Sequence, residues 1–132
     1  MKDCLFCKIV AGEIPSHKVY EDDKFLAFLD INPINKGHTL VIPKEHSYNL
    51  ITMDDELAGE MMKVIKKLAQ HIKEKLNADG INIIFNNEKS AGQIIFHTHA
   101  HIIPRFEGDG FHHWPGKPYL ENEANEILER LK

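Results

Sequence analysis

Residues 96–105 read Phe96-His97-Thr98-His99-Ala100-His101-Ile102-Ile103-Pro104-Arg105 and carry three of the nine histidines at spacing i, i+2, i+4. Apolar residues flank them, Ile94 and Ile95 before and Ile102 and Ile103 after. A period of two between apolar runs predicts a strand. On a pleated strand His97, His99 and His101 share a face with Ile95 and Ile103, and Phe96, Thr98, Ala100 and Ile102 share the other. Imidazoles in a row on an apolar sheet are costly unless each has a partner, and they titrate near neutral pH. The row therefore reads as a chemical face backed by a packing face.

Two chemistries fit it. In the first, neighbouring histidines hold a hydrolytic metal with an open position. Cα atoms two apart on a strand lie about 6.6 Å apart and four apart about 13 Å, so a third histidine reaches the same ion poorly. In the second, one neutral imidazole attacks as a nucleophile and its neighbours manage protons and charge. Spacing alone leaves both open.

With 132 residues, 42% hydrophobic and 27% charged, the chain reads as one globular domain, residues 1–132. A net charge of −4 supplies no field for a polyanion, so nucleic acid is not an expected partner, whereas a small nucleotide is compatible. No apolar run is long enough for a bilayer, and Met1-Lys2-Asp3-Cys4 lacks secretory character, so a cytoplasmic protein with no membrane partner is expected. Both cysteines fall in Cys4-Leu5-Phe6-Cys7. In a reducing compartment such a pair is a redox motif, half a metal site or neither, and the absence of a preceding strand argues against redox.

The remaining elements follow from pattern. A helical turn is expected over Phe6–Val10, and strands Val19–Tyr20 and Phe25–Leu29 flank a Glu21-Asp22-Asp23-Lys24 connection. Asp30 either caps the turn before Asn32-Pro33 or binds a ligand. Lys36-Gly37 leads into a strand His38–Pro43, with His46 just beyond. Thr52-Met53-Asp54-Asp55 reads as a capping box for a long amphipathic helix reaching Asn77. A strand Ile81–Phe85 and a polar loop, Asn86 to Gln93, precede the histidine row. After Arg105 come His112-His113-Trp114-Pro115-Gly116 and a charged helix from Glu121 to Lys132.

His-x-His-x-His followed by two apolar residues, with Gln93 four residues earlier, resembles the signature of the histidine triad (HIT) superfamily of nucleotide hydrolases and transferases. Gly12-Glu13-Ile14-Pro15, Phe28-Leu29-Asp30-Ile31-Asn32-Pro33 and Gly37 to Lys44 resemble its Hint-like branch. The resemblance implies an α+β HIT fold, a five-stranded antiparallel sheet with one long helix and short N- and C-terminal helices, with residues 117–132 as an extension. It implies a homodimer and a purine nucleotide substrate, a phosphoramidate or a dinucleoside polyphosphate. His99 would attack the α-phosphorus, His101 would hold phosphate oxygens or move the leaving-group proton, and His97 would orient the row. Asp30 would bind ribose; Phe6, Ile9, Phe28 and Ile31 would sandwich the base; His38, Asn86 and Gln93 would lie at phosphate or ribose. Trp114 would reach the leaving-group side. Zinc, with no metal needed at the phosphate, would be held by Cys4, Cys7, His46 and His97.

One position departs. Hint-like proteins often carry a small hydroxyl residue after the Gln, and here Ile94 stands there, which cannot relay a proton to an amine. Two rival readings accompany the resemblance: a mononuclear zinc hydrolase using His97 and His99, and a nucleotide-binding sensor without turnover.

Overall fold

A computed structural model describes residues 3–132; Met1 and Lys2, the start of the stretch read as lacking secretory character, lie outside them. Five strands, β1 (Lys18–Glu21), β2 (Phe25–Leu29), β3 (Thr39–Pro43), β4 (Gly80–Phe85) and β5 (Ala100–Arg105), form one sheet in the order β1-β2-β3-β5-β4. Every pairing is antiparallel. Three helices accompany it, α1 (Leu5–Val10), α2 (Asp55–Lys75) and α3 (Glu123–Arg130). No helix among the described residues is long and apolar enough to cross a membrane.

The central strands Phe25-Leu26-Ala27-Phe28 and Thr39-Leu40-Val41-Ile42 show no alternation because both faces are covered. On one face Phe25, Ala27, Val41, Ala100 and Ile102 pack against Met61, Ile65, Leu68, Ala69 and Ile72 of α2. On the other, Leu26, Phe28, Leu40 and Ile42 pack against Phe6 and Ile9 of α1, with Ile95 at the margin. Registers Phe28↔Leu40 and Leu40↔His101 set His101 on this second face.

Expected boundaries shift by one or two residues at most elements, and three shifts bear on the site and its support. The strand of the histidine row begins at Ala100, not Phe96. Its pairing with β3 ends at Val41↔Ala100, because β3 runs into Pro43, which has no N–H, and the Pro43 carbonyl accepts the His97 side chain at 2.8 Å. The facial division nevertheless persists, with Ile95 on the α1 side and Ala100 and Ile102 on the α2 side. At α2 the cap is Asp54, whose carboxylate accepts the Leu57 N–H; Thr52 belongs to a preceding short turn capped by Asn49. That helix stops at Lys75, and Asn77 adopts φ +52°, outside the helical region.

Gly37 is demanded twice over. It sits at φ +96°, and a Cβ there would collide with Leu76 at the end of α2. The turn it makes carries the chain into His38 and β3.

Candidate active site

His99 sits one residue before β5, where no ladder holds it, and a single hydrogen bond fixes its chemistry. Its Nδ1–H donates to the His97 carbonyl at 2.7 Å. A carbonyl only accepts, so the ring proton is on Nδ1 and the Nε2 lone pair is free.

A second chain of bonds fixes His38 and His101. The Ile34 N–H donates to His38 Nδ1 at 3.1 Å, which places the His38 proton on Nε2. That proton faces His101 Nδ1 at 2.9 Å, leaving His101 with a donor at Nε2. His99 and His101 rings lie 5.1 Å apart, so a bare lone pair and an N–H donor stand side by side. Asp30 approaches His38 Nε2 to 3.7 Å, and its other oxygen accepts the Asn32 N–H at 2.8 Å, the turn-capping role.

Burial keeps these rings neutral. It pushes His97 and His101 down to about 4, with neighbouring histidines adding to the effect, and lowers His38 and His99 as well, against the opposing pull of Asp30 on all but His97. Phe6 contributes by packing its ring edge-on to His99 at 5.1 Å and His97 at 5.9 Å, and onto Phe28 at 5.6 Å.

The His97 side chain, fully buried, turns away from this pair. Its Nε2–H donates to the Pro43 carbonyl, so Nδ1 presents a lone pair 3.2 Å from Cys4 Sγ and 3.5 Å from Cys7 Sγ. Cys7 Sγ is 3.4 Å from His46 Nδ1, and one ligand atom from each of these four residues lies within 4.8 Å of the others. Two sulfurs and two imidazole nitrogens at these separations match a closed tetrahedral zinc site, whose bonds of about 2.0–2.3 Å place ligand atoms about 3.3–3.8 Å apart. The Pro43 carbonyl supplies the outer hydrogen bond that such a histidine uses to fix its ring. Burial and the adjacent Cys4 raise the Cys7 thiol, a penalty that a bound cation reverses.

With both His97 nitrogens committed, none remains to share an ion with His99, which removes the geometric basis of the mononuclear hydrolase. Asp30, His38 and His101 also bring one ligand atom each within 4.8 Å. The Ile34 N–H holds the His38 proton on Nε2, so that trio is a hydrogen-bond relay rather than a cation site.

The other expected residues divide. Ile31 is 84% exposed beside Asp30, whereas Phe6, Ile9 and Phe28 lie within the α1-side core and offer only edges to a ligand. The half-buried Asn86 side chain has no hydrogen-bond partner among the described residues. Gln93 does not reach outward: its oxygen accepts from the Glu88 N–H and Asn49, and its amide donates to the Tyr48 and Ile95 carbonyls, clasping the loop. Trp114, 91% exposed, borders a cleft of about 780 Å³ with Ile34, Asn86, Ile103 and Phe111, and Ile103 continues the His101 row. Ile94 is likewise open to solvent. Sequence reasoning missed the Pro43 and His97 carbonyls, the Ile34 N–H and the buried Asn49. Backbone groups leave no side-chain signature, and Asn49 signals only a helical turn.

A sequence profile of the HIT domain matches residues 11–108. The adenylylsulfatase HINT3 of Arabidopsis thaliana is 45% identical over 98% of this chain and 68% of its own length. A crystal structure from Streptococcus mutans UA159 superposes with TM-score 0.90 at 47% identity, covering 100% of this chain and 87% of that one. A zinc-bound histidine triad protein from Mycobacterium smegmatis superposes with TM-score 0.80 at 38% identity, covering 99% of each chain. The profile, the identity across almost the whole length and the shared architecture together place this chain in the HIT domain family.

Proposed function

We propose that the protein cleaves purine nucleoside phosphoramidates or dinucleoside polyphosphates at the α-phosphate through a nucleotidyl-His99 intermediate, releasing a nucleoside monophosphate. The observation that carries this reading is the His99 Nδ1–H bond to the His97 carbonyl, which leaves Nε2 as an unprotonated, buried nucleophile. In the first step Nε2 bonds to the α-phosphorus and the bond to the leaving group breaks, that group taking the electron pair. The ring becomes cationic, and the His97 carbonyl on Nδ1–H stabilises it. The His101 Nε2–H donates to a phosphate oxygen as charge develops. Water then attacks phosphorus, the electron pair returns to Nε2, and a water proton leaves to solvent. A polyphosphate departs as an anion, whereas an amine requires a proton that Ile94 cannot relay.

In this reading Asp30 receives the ribose hydroxyls, Ile31 with the edges of Phe6, Ile9 and Phe28 flanks the purine, and Asn86 donates to phosphate or ribose. Gln93 holds the loop that presents Asn86, and Trp114 bounds the leaving-group side. Cys4, Cys7, His46 and His97 would hold zinc, which would supply a rigid structural anchor and no bond to phosphate; a zinc-bound relative shows that the fold can carry that metal. Residues 1–132 act as one HIT domain with 117–132 as its extension, in the cytoplasm, where reduced thiols keep such a cluster metal-ready. The working form is a homodimer. The outer edge of β4 lacks a strand partner while Ile83 and Ile84 beside it are exposed, and light scattering should give twice the 15.2 kDa chain mass.

The test is intact-mass spectrometry after acid-quenched mixing with an adenosine phosphoramidate and, separately, a diadenosine polyphosphate. An adenylyl adduct on the wild type, absent from His99→Ala together with a fall in turnover of about 10³-fold or more, is expected. Turnover without an adduct would overturn the covalent step. Nucleotide binding with neither adduct nor product would make the protein a sensor.

A further inference from the structure

His97 belongs to both constellations described above, and the buried backbone around it is held by side chains and loops rather than by the sheet ladder. Residues 94–99 lie outside the sheet ladder, which begins at Ala100. The bonds anchoring this stretch are the Gln93 amide on the Ile95 carbonyl, the Thr98 N–H and hydroxyl on Ser47 at 2.6 Å and 2.9 Å, and those of the His97 side chain to Pro43 and to the cysteines. The His97 carbonyl is what keeps the His99 proton on Nδ1. A neutral histidine without such a partner divides its proton between its two nitrogens, and a proton on Nε2 removes the nucleophile.

We infer that His97 is a positioning residue through which occupancy of the Cys4, Cys7, His46 and His97 cluster is transmitted to His99. A metal in the cluster fixes the His97 ring at Nδ1 while Pro43 fixes it at Nε2, so its carbonyl is held on the Nδ1–H of His99. Loss of the metal leaves the ring on its Pro43 bond and on weaker contacts to the two thiols, and the carbonyl gains freedom to move. The cluster thereby regulates the fraction of protein carrying a competent nucleophile, although none of its metal-binding atoms touches the substrate. This rests on the assignment of His99 as nucleophile, but its readout does not depend on turnover.

The experiment labels all histidines with nitrogen-15 and records long-range proton–nitrogen correlations of the rings in full-length protein. Zinc-loaded, EDTA-stripped and stripped-then-reloaded wild type are compared with His46→Ala and with His46→Cys, which keeps four zinc-binding groups. In loaded wild type and loaded H46C, His99 should be a single Nδ1–H tautomer. In stripped wild type and H46A the ring should move toward a tautomer mixture, its Nδ1 proton exchanging about tenfold faster, the ratio one ordinary hydrogen bond gives. His38 and His101, fixed by Ile34, should keep their tautomers and report an intact fold. Reloading should restore His99. An unchanged His99 across all samples would overturn the inference, and so would a shift of all three histidines together, which would mean general loosening. If His99 follows the cluster but never forms an adduct, the nucleophile assignment fails while the coupling stands; an adduct on an insensitive His99 is the reverse.

Discussion

Neutral histidine has one proton and one lone pair, and this site sorts them by backbone partner. A carbonyl from His97 takes the His99 proton, and an N–H from Ile34 takes the His38 lone pair, so His101 must present a donor. His101→Ala should therefore lower kcat about 10²- to 10³-fold, the effect of removing one charge-stabilising donor. His38→Gln should cost less, about tenfold in kcat with KM little changed, because it acts only by orienting His101; steady-state kinetics on one nucleotide substrate separates the two. The three-histidine spacing made the chemical face legible in the sequence, whereas the second cluster was legible only through the family resemblance, a lone Cys-x-x-Cys being a weak signal. What stayed illegible was which nitrogen each ring commits, because the deciding partners are main-chain atoms. Gln93 shows the same limit from the other side: its amide composition suits a phosphate contact, but burial and four protein partners make it a clasp.

Periodicity located the histidine row and the long helix, whereas the central strands, apolar on both faces, were legible as short apolar runs bounded by turn residues. Ends were less legible. β5 loses its first four expected residues because Pro43 lacks an N–H, and His97 spends its side chain on the Pro43 carbonyl instead of joining a ladder. α2 is capped by Asp54 rather than by Thr52 because Asn49 has already taken Thr52 into a separate turn. Between its ends α2 is held by burial: Met61 and Ile65 are fully enclosed against Ala100 and Ile102, the packing face of β5. Ile65→Ala removes about three methylene equivalents and should destabilise by about 2–5 kcal/mol, read from the urea midpoint at unchanged slope. The loss falls on the support behind β5, so melting should drop before substrate affinity changes at a permissive temperature.

The chain as a unit trades acid stability for neutral imidazoles. The unfolded chain protonates its histidines as pH falls through 6.5, whereas burial holds His101 neutral in the fold down to about 4. Across that window the unfolded state binds more protons, so stability decreases as pH falls from 6.5 toward 4 and is unaffected by this group above 6.5. Part of the His101 ring faces solvent, and screening reduces its share to roughly 1–2 kcal/mol. Carboxylates reinforce the trend at the acid end: Asp109, held far below the usual carboxylate range first by Arg105 and then by the N–H groups of Phe106 and Phe111, stabilises the fold above its ordinary range and loses that contribution only as acid reaches it. The two effects separate by pH, because histidine uptake acts between 6.5 and 4 and Asp109 acts below about 4. Thermal melting of wild type between pH 8 and about 2 should be flat above pH 6.5 and fall below it. His101→Phe, which buries a ring of similar size that takes no proton, should show a shallower decline in that window while keeping the drop below pH 4. An equal slope in the two proteins would mean that other groups carry the acid sensitivity and that His101 is not held neutral by burial.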